Sequence, residues 1–269
     1  MTHAAEVGLS GDMTEFTAAV ESYDRFMGRY ATGLAPKLAD AAGVRAGQRV
    51  LDVGCGPGAL TVELARRVGE HNVAAVDPAP QFVAVCRTRV PGADVREGVA
   101  ESLPWDGGTF DAAMCSLVVA WLRDADRGIV EMSRVTRPAG TVAAAMWDFS
   151  GGGLPMLSYF WRAARQLDPS IPDDQPRAGV SEGDLVERFT RAGLEGVTGG
   201  TLETSVDYAG FDDYWEPFTG GGGPASSAFY ASLDDAGKAR LRDTVRASLP
   251  GGPFTLSGRA WLALGTVPG

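Results

Sequence analysis

The chain has 269 residues, of which 45% are hydrophobic, and it carries a formal net charge of -10 at pH 7. This length is enough to bury a substantial core without disulfides or a structural metal. The acidic balance argues against nucleic acid as a partner, because binding to phosphates depends on cationic side chains.

The cysteines and the hydropathy of the chain exclude further classes of protein. The three cysteines show no CxxC pair and no metal-ligand spacing, and the chain has two histidines, so we expect no metal site and a reducing, cytoplasmic location. We find no apolar run of signal-peptide or membrane-span length, so no membrane partner is expected. Composition says nothing about oligomeric state.

The predicted elements fall into three segments in chain order. Residues 1–44 are expected to form N-terminal helices, near 15–27 and 34–42, with an aromatic stretch from Tyr23 to Tyr30 between them. Residues 45–149 alternate strands and helices, which is typical of a parallel sheet covered on both faces. The five strands are expected near 49–53, 73–77, 94–96, 110–115 and 141–147.

Residues 150–269 lose this alternation. Their pattern predicts a cap, a last sheet-covering helix and closing strands. The final strand is expected to pair antiparallel to its neighbour. The fold class is therefore α/β, with a doubly wound, mostly parallel sheet and a helical cap. The expected helices are 154–167, 184–192, 211–218 and 233–249, the strands 194–197, 202–208 and 254–267, and Gly220–Gly223 a loop.

A glycine-rich turn follows the first strand. Val50–Gly58 places an apolar run before Gly54, Gly56 and Gly58, and a helical stretch follows directly. Such a backbone lets a ligand lie close against it. The next strand ends in Asp77, a position that suits ribose hydroxyls. The pair predicts a nucleoside-containing cofactor at the carboxyl edge of the sheet.

The glycine spacing alone also fits the dinucleotide fingerprint, with Ala59 in its last position. Asp52 favours a different cofactor, because a carboxylate facing the turn would repel a pyrophosphate and attract a ligand that carries an ammonium and a sulfonium. We therefore favour S-adenosylmethionine (SAM) and keep an NAD-dependent oxidoreductase as the less favoured alternative.

Five segments together resemble the motifs of the class I SAM-dependent methyltransferases. The resemblance covers roughly residues 20–150, is specific for SAM binding and not for substrate, and implies the Rossmann-like methyltransferase fold. It also implies that the helices of residues 1–44 cover the cofactor site, where the aromatic stretch would contact cofactor or substrate. Val99 departs from it, since many members have an acidic residue there that bonds the adenine amino group. The five segments are Val50–Gly58, Ala75–Pro78, Gly98–Trp105, Thr109–Met114 and Arg134–Thr141.

Ligands of doubly wound sheets lie beyond the carboxyl ends of the strands, and this rule assigns the cofactor contacts. Either Glu101 or backbone atoms around Ala100 would meet the adenine edge. Cys55 and Cys115 are expected to be small buried side chains rather than nucleophiles. The expected contacts are Asp52 with the ammonium; Gly54, Cys55 and Gly56 with the methionine part; Asp77 with the ribose; Pro78 with the adenine face; Ala100 and Glu101 with its edge; and Cys115 beside the methyl group.

Neither histidine is placed to act as a base, because His71 precedes the second strand at the far edge of the sheet and His3 lies near the chain start. Methyl transfer is an in-line displacement that alignment itself accelerates. Where an acceptor must lose a proton, Asp148, Tyr23 and Tyr159 are the candidate catalytic groups.

The leading hypothesis is a methyltransferase that moves a methyl group from SAM to an O, N, S or C atom of a small molecule. Aromatic residues of the cap, such as Trp161 and Trp215, favour a hydrophobic or aromatic acceptor, although they would serve equally as the core of the cap. The main alternative is a SAM-binding protein of the same fold that transfers no methyl group, such as a cyclase or a ligand-binding subunit.

Overall fold

The structure is a computed structural model, and it describes residues 21–171, 177–221 and 223–269. The expectations for His3 and for the start of the first helix, near residue 15, lie outside these ranges. Within them, no helix is both long enough and apolar enough to cross a membrane.

The described residues form one seven-stranded sheet in the order β3-β2-β1-β4-β5-β7-β6. Strands β1 to β5 pair in parallel, and β7 runs antiparallel between β5 and β6. The predicted fold class is confirmed, including the antiparallel closing strand. The strands are β1 Val50–Val53, β2 Val73–Asp77, β3 Asp94–Glu97, β4 Phe110–Ser116, β5 Thr136–Trp147, β6 Glu195–Tyr208 and β7 Phe254–Thr266.

Helices cover the sheet and build the cap. A π-helical turn, Asp24–Gly28, leads directly into the first α-helix. The α-helices of the described ranges are α1 Arg29–Ala41, α2 Ala59–Val68, α3 Pro80–Arg89, α4 Ala125–Val135, α5 Pro155–Leu167, α6 Asp184–Arg191, α7 Phe211–Thr219, α8 Pro224–Ser232 and α9 Asp235–Ala247.

Burial explains why the central strands form where they do. Every residue of β1 and β2 is buried, as expected for parallel strands that have helices on both faces. β6 instead alternates exposed and buried side chains over its last residues, which is typical of a strand with one solvated face.

Three elements differ from the sequence-based expectation. The stretch Tyr23–Tyr30 is helical rather than a break between two helices. The two short strands expected after residue 194 are one strand, β6, with a register shift between Glu195 and Thr198. Helix α8 was not predicted, because its small and polar residues give no clear apolar stripe.

The strand order reverses between β1 and β4, since β2 lies on one side of β1 and β4 on the other. The carboxyl ends of these three strands therefore meet at one point of the sheet edge. Doubly wound sheets bind their ligands at this switch point.

Candidate functional site

The glycine turn after β1 is anchored to the neighbouring strand. The backbone N–H groups of Gly54 and Cys55 both donate to the carbonyl oxygen of Val76, at 2.7 and 3.0 Å. Gly54 and Gly56 have φ values of +71° and +52°, in the left-handed region that glycine tolerates best. The turn is thus held in a conformation that depends on its glycines.

The two glycines have different surroundings. A β-carbon at Gly54 would lie 2.5 Å from the Val118 side chain, whereas a β-carbon at Gly56 would meet nothing within 4 Å. Gly54 is therefore required for packing between the turn and the segment after β4. Gly56 presents bare backbone to open space, where a ligand can approach it.

Asp52 lies beneath this turn and is 1% exposed. Its Oδ2 accepts a hydrogen bond from the Thr61 hydroxyl at 2.7 Å. Burial is the main cause that raises the pKa of its carboxyl to about 7, and the nearby charge of Asp77 adds to the effect. An ionised Asp52 is therefore costly at neutral pH and would be stabilised by a cationic ligand.

Asp77 ends β2 and points at the same turn. Its two carboxylate oxygens accept hydrogen bonds from the N–H groups of Gly56 and Ala79, both at 2.9 Å. Each oxygen keeps a second lone pair that can accept from a hydroxyl. Burial raises the pKa of this carboxyl above its ordinary value, and the two N–H groups oppose that rise.

A small cavity lies against the turn, bounded on its other side by the N-terminal helices and the end of β4. Its volume is about 40 Å³, well below the roughly 300 Å³ at which small-molecule sites begin. The described conformation therefore has the N-terminal segment closed over the turn. The lining includes Asp52, Gly54, Cys55, Gly56, Tyr23, Asp24, Thr32, Arg89, Ser116 and Leu117.

Two contacts hold this segment closed. The ring of Tyr23 packs against Phe82 with centroids 5.3 Å apart. The Arg89 guanidinium pairs with Asp24 and also donates to the carbonyl oxygen of Pro57 at 3.1 Å. These contacts join the N-terminal segment to α3 and to the glycine turn.

The Tyr23 phenol is neutral at physiological pH. Burial is the main cause that raises its pKa to about 12, and the negative charges of Asp77 and Asp24 contribute to the rise. Tyr23 can therefore donate a hydrogen bond.

The end of β4 contributes a strained turn and an unpaired hydroxyl. Leu117 has a φ of +66°, unusual for a residue with a side chain, and such strain concentrates at functional sites. Its N–H donates to the Ala145 carbonyl oxygen at 2.7 Å. The Ser116 Oγ is buried and has no hydrogen-bond partner, so it is available to a ligand in this cavity.

The structure brings together four of the nine expected cofactor contacts as lining of this cavity: Asp52, Gly54, Cys55 and Gly56. Asp77 bonds the same turn, and Pro78 is exposed next to it. Cys115 is 1% exposed and its neighbour Ser116 lines the cavity instead. Burial raises the pKa of the Cys115 thiol to about 12, so Cys115 has the properties of a core residue.

Ala100 and Glu101 lie outside the lining of this cavity. The Glu101 carboxylate accepts from the N–H groups of Arg123 and Asp124, at 2.8 and 3.2 Å. It thereby fixes the loop that precedes α4. Because the Glu101 carboxylate already accepts these two hydrogen bonds, backbone atoms around Ala100 are the favoured contacts for an adenine, rather than the Glu101 side chain.

The three candidate catalytic groups are separated. Tyr23 lines the cavity, whereas Asp148 and Tyr159 are absent from its lining. The buried Asp148 carboxylate accepts from the Arg259 side chain, with a distance of 3.0 Å to Nε, and from the Gly151 N–H at 2.7 Å. Asp148 thus joins the end of β5 to β7 and to the loop that follows it.

Sequence reasoning missed two charged residues of the site, Asp24 and Arg89. Arg89 is the last residue of α3, and no motif spacing marks that position. Asp24 lies in the aromatic stretch that was expected to cover a ligand, but no sequence pattern marked its carboxylate as a site residue. His71 is exposed beside Gly92 before β2, at the edge of the sheet opposite the cavity, where it was expected.

The comparisons with known proteins agree with this geometry. Residues 51–144 match the family described as "Methyltransferase domain". An uncharacterized methyltransferase of Mycobacterium tuberculosis (strain H37Rv) is 37% identical over 125 residues, which are 46% of this chain and 49% of that protein. A malonyl-[acyl-carrier protein] O-methyltransferase of Erwinia billingiae is 32% identical over 147 residues, 55% of this chain and 57% of that protein.

The solved structure of a SAM-dependent methyltransferase from Thermotoga maritima shares the fold. It superposes with a TM-score of 0.54 at 16% identity and covers 95% of this chain and 100% of its own. The alignments to the two curated relatives span about half of each relative's length. Residues 51–144 are therefore a methyltransferase domain, and the described sheet has the strand order of the class I S-adenosylmethionine-dependent methyltransferase fold.

Proposed function

We propose that this protein transfers a methyl group from SAM to a small molecule. The observation that carries the proposal is the pair of buried carboxylates, Asp52 and Asp77, on the adjacent ends of β1 and β2 with the glycine turn between them. Buried carboxylates need partners, and SAM offers an ammonium to one and ribose hydroxyls to the other.

The residues at the turn fit SAM by three independent features. The backbone of Gly56 faces open space, and the Ser116 hydroxyl is buried without a hydrogen-bond partner. The pKa of Asp52 is about 7, so a cationic ligand would shift this carboxyl to its ionised form at neutral pH. In this assignment Gly54, Cys55 and Gly56 hold the methionine part, and Asp77 holds the ribose. Pro78 and backbone atoms around Ala100 contact the adenine, while Glu101 fixes the adjoining loop. Because the present cavity is narrow, entry requires the Tyr23–Asp24 segment to move away from the turn.

The bound cofactor would supply a methyl carbon activated by the positive charge on sulfur. The chain's own contribution is to align the two reactants, to exclude water with the closed N-terminal segment, and to accept a proton where the acceptor loses one. Tyr23 borders the cavity. Asp148 and Tyr159, the other proposed bases, would need to reach the acceptor from outside the present lining.

The acceptor is a small molecule in this proposal, and its chemical nature depends on which surface receives it. The aromatic residues of the cap were the reason to expect a hydrophobic or aromatic acceptor. Much of that cap is packed against itself: Phe160 stacks on Phe218 with centroids 4.7 Å apart, and Tyr214 is fully buried. These rings stabilise the cap whether or not a ligand touches them. The Erwinia relative is named a malonyl-[acyl-carrier protein] O-methyltransferase, which adds malonyl-[acyl-carrier protein] to the acceptors worth assaying.

The test is to incubate the protein with SAM and a set of small molecules, and to measure S-adenosylhomocysteine by mass spectrometry. We expect product with at least one acceptor and none with the Gly56→Val variant. Calorimetry with SAM and with NAD separates the alternatives. Tight SAM binding without any product would indicate a non-transferring protein of the same fold, and NAD binding would indicate an oxidoreductase.

A further inference from the structure

A second, larger cavity adjoins the first at its open end. Its volume is about 490 Å³, within the range of about 300–1,000 Å³ that small-molecule sites occupy. One wall is the π-helical turn with the start of α1, and the other wall is the exposed face of β6, at Ser205 and Asp207. We call this cavity the β6 groove.

Four residues line both the β6 groove and the cofactor cavity: Asp24, Gly28, Thr32 and Arg89. They mark the junction where a molecule in the groove would meet the methyl donor. Of the four, Asp24 and Arg89 carry charge, and their side chains are 35% and 36% exposed. The junction therefore has a solvent-accessible carboxylate that can accept a proton.

Helix α1 packs closely on β6 where the two form the groove. A β-carbon at Gly33 would lie 2.2 Å from the Thr204 hydroxyl oxygen, so α1 packs tightly on β6. Arg29 pairs with Asp213 at 2.9 Å and lies over the Tyr208 ring, 4.6 Å from its centroid. The contacts with Thr204 and Tyr208 hold α1 on β6, and the pair with Asp213 holds α1 on α7, so the part of the wall formed by α1 and β6 is preformed.

The chemistry of the groove is polar. Its lining carries the side chains of Asp24, Arg29, Arg89 and Asp207. Both arginines already pair with carboxylates, while the Asp207 carboxylate accepts from the Thr255 hydroxyl at 2.6 Å. An apolar molecule would remove water from these charges without replacing its hydrogen bonds, which is costly. A molecule with hydroxyl or amine groups would replace them.

We propose that the β6 groove is the acceptor subsite and that Asp24 is a catalytic residue that takes the proton of a hydroxyl- or amine-bearing acceptor. The inference rests on the proposed methyl transfer. A lone pair of the acceptor oxygen or nitrogen forms the new bond to the methyl carbon. The bond between carbon and sulfur breaks with its electron pair left on sulfur, and the acceptor's proton passes to the Asp24 carboxylate. Arg89 holds that carboxylate at the junction.

The first test measures binding, independently of turnover. The complex with S-adenosylhomocysteine is screened by ligand-observed NMR against small alcohols, phenols and primary amines, and against matched hydrocarbons. We expect polar fragments to bind, and Ser205→Trp, which fills the groove, to abolish that binding. The matched control is Thr201→Trp, exposed four residues earlier on the same face of β6, which should bind the fragments as the parent does.

The outcomes separate this proposal from the proposed function. Failure to bind S-adenosylhomocysteine would refute the methyltransferase activity itself. Binding of the cofactor product together with either no polar fragment, a preference for hydrocarbons, or equal fragment binding by Ser205→Trp would refute the groove as the acceptor subsite and leave the activity intact.

The second test addresses Asp24 with an acceptor from that screen. Asp24→Asn should lower kcat, measured at saturating SAM, by at least about a hundredfold, as for loss of a general base. The lost pair with Arg89 should affect S-adenosylhomocysteine affinity, which is measured separately. Asp24→Glu should restore part of the rate. An unchanged kcat in Asp24→Asn, or a rate loss fully explained by weaker cofactor-product binding, would overturn the catalytic role.

Discussion

The carboxylate of Asp77 accepts a 2.9 Å hydrogen bond from the backbone N–H of Gly56. This bond joins the end of β2 to the turn after β1, so one side chain shapes the glycine turn and still presents lone pairs to a ligand. The same carboxylate accepts from Ala79 at the start of α3. Asp77 therefore has a structural role even before any cofactor binds.

We predict that Asp77→Ala weakens SAM binding by more than it destabilises the fold. The variant loses a charge-assisted contact to the ribose hydroxyls, on the order of 2–3 kcal/mol of binding free energy. Calorimetry with SAM measures the loss. Asp243→Ala, an exposed carboxylate on α9, controls for the change in net charge. A folded Asp77→Ala variant that binds SAM like the parent would disprove the ribose assignment.

Gly56→Val should abolish detectable SAM binding while thermal unfolding stays cooperative. A β-carbon at Gly56 meets open space, so the new side chain would occupy the ligand's position without clashing with the protein. The φ of +52° adds a conformational cost of about 1–2 kcal/mol. Gly43→Val is the matched control, because Gly43 also has a positive φ, +67°, and open space around it. Equal SAM binding by both variants would place the ligand elsewhere.

The sequence indicates candidate site residues most clearly where a buried strand ends in a carboxylate or in glycines. Asp52 lies near the end of β1, Asp77 ends β2, and the glycines follow β1. Both strands are short and fully buried, and parallel strands bring such ends to one edge. Sequence could not reveal Asp24 or Arg89, because their pairing joins the N-terminal segment to α3 across 65 positions of the chain. Such contacts are set by how helices dock on the sheet, which leaves no local pattern.

The same limit applies to side chains whose role depends on a partner. From the sequence, Asp148 was expected to be a free carboxylate at a strand end, whereas in the structure it forms an ion pair with Arg259 on β7. Cys115 and Ser116 differ by one position, and only the strand's actual register decides which of them faces the cavity. The fold class required no such detail, since alternating apolar runs and helical stretches determine it.

The pKa of Asp52 predicts a pH dependence of stability. Its folded value of about 7 lies above the ordinary 3.8, so between these values the unfolded chain releases the proton first. Stability contributed by this group is therefore present at low pH and is lost as the pH rises through about 7. Denaturant unfolding at pH 5 and pH 8 should show this loss, and Asp52→Asn should lack it.

The same carboxyl predicts that SAM binding releases a proton below neutral pH. The cofactor's ammonium favours ionised Asp52, so affinity should rise with pH up to about 7, by at most about tenfold per pH unit. Calorimetry at pH 6, in two buffers with different ionisation enthalpies, counts the protons. Proton release that persists in Asp52→Asn would assign the linkage to another group, such as Asp77, whose pKa burial also raises.

Asp148→Asn should lower Tm by several degrees and leave kcat nearly unchanged. The parent carboxylate is fully buried and bonded to Arg259 and Gly151, and a neutral amide leaves the guanidinium without its counter-charge. Differential scanning calorimetry gives Tm, and release of S-adenosylhomocysteine gives kcat. Asp106→Asn, at an exposed position, should change neither. The opposite pattern, an unchanged Tm with kcat lowered about a hundredfold or more, would make Asp148 the proton acceptor and remove the need for Asp24.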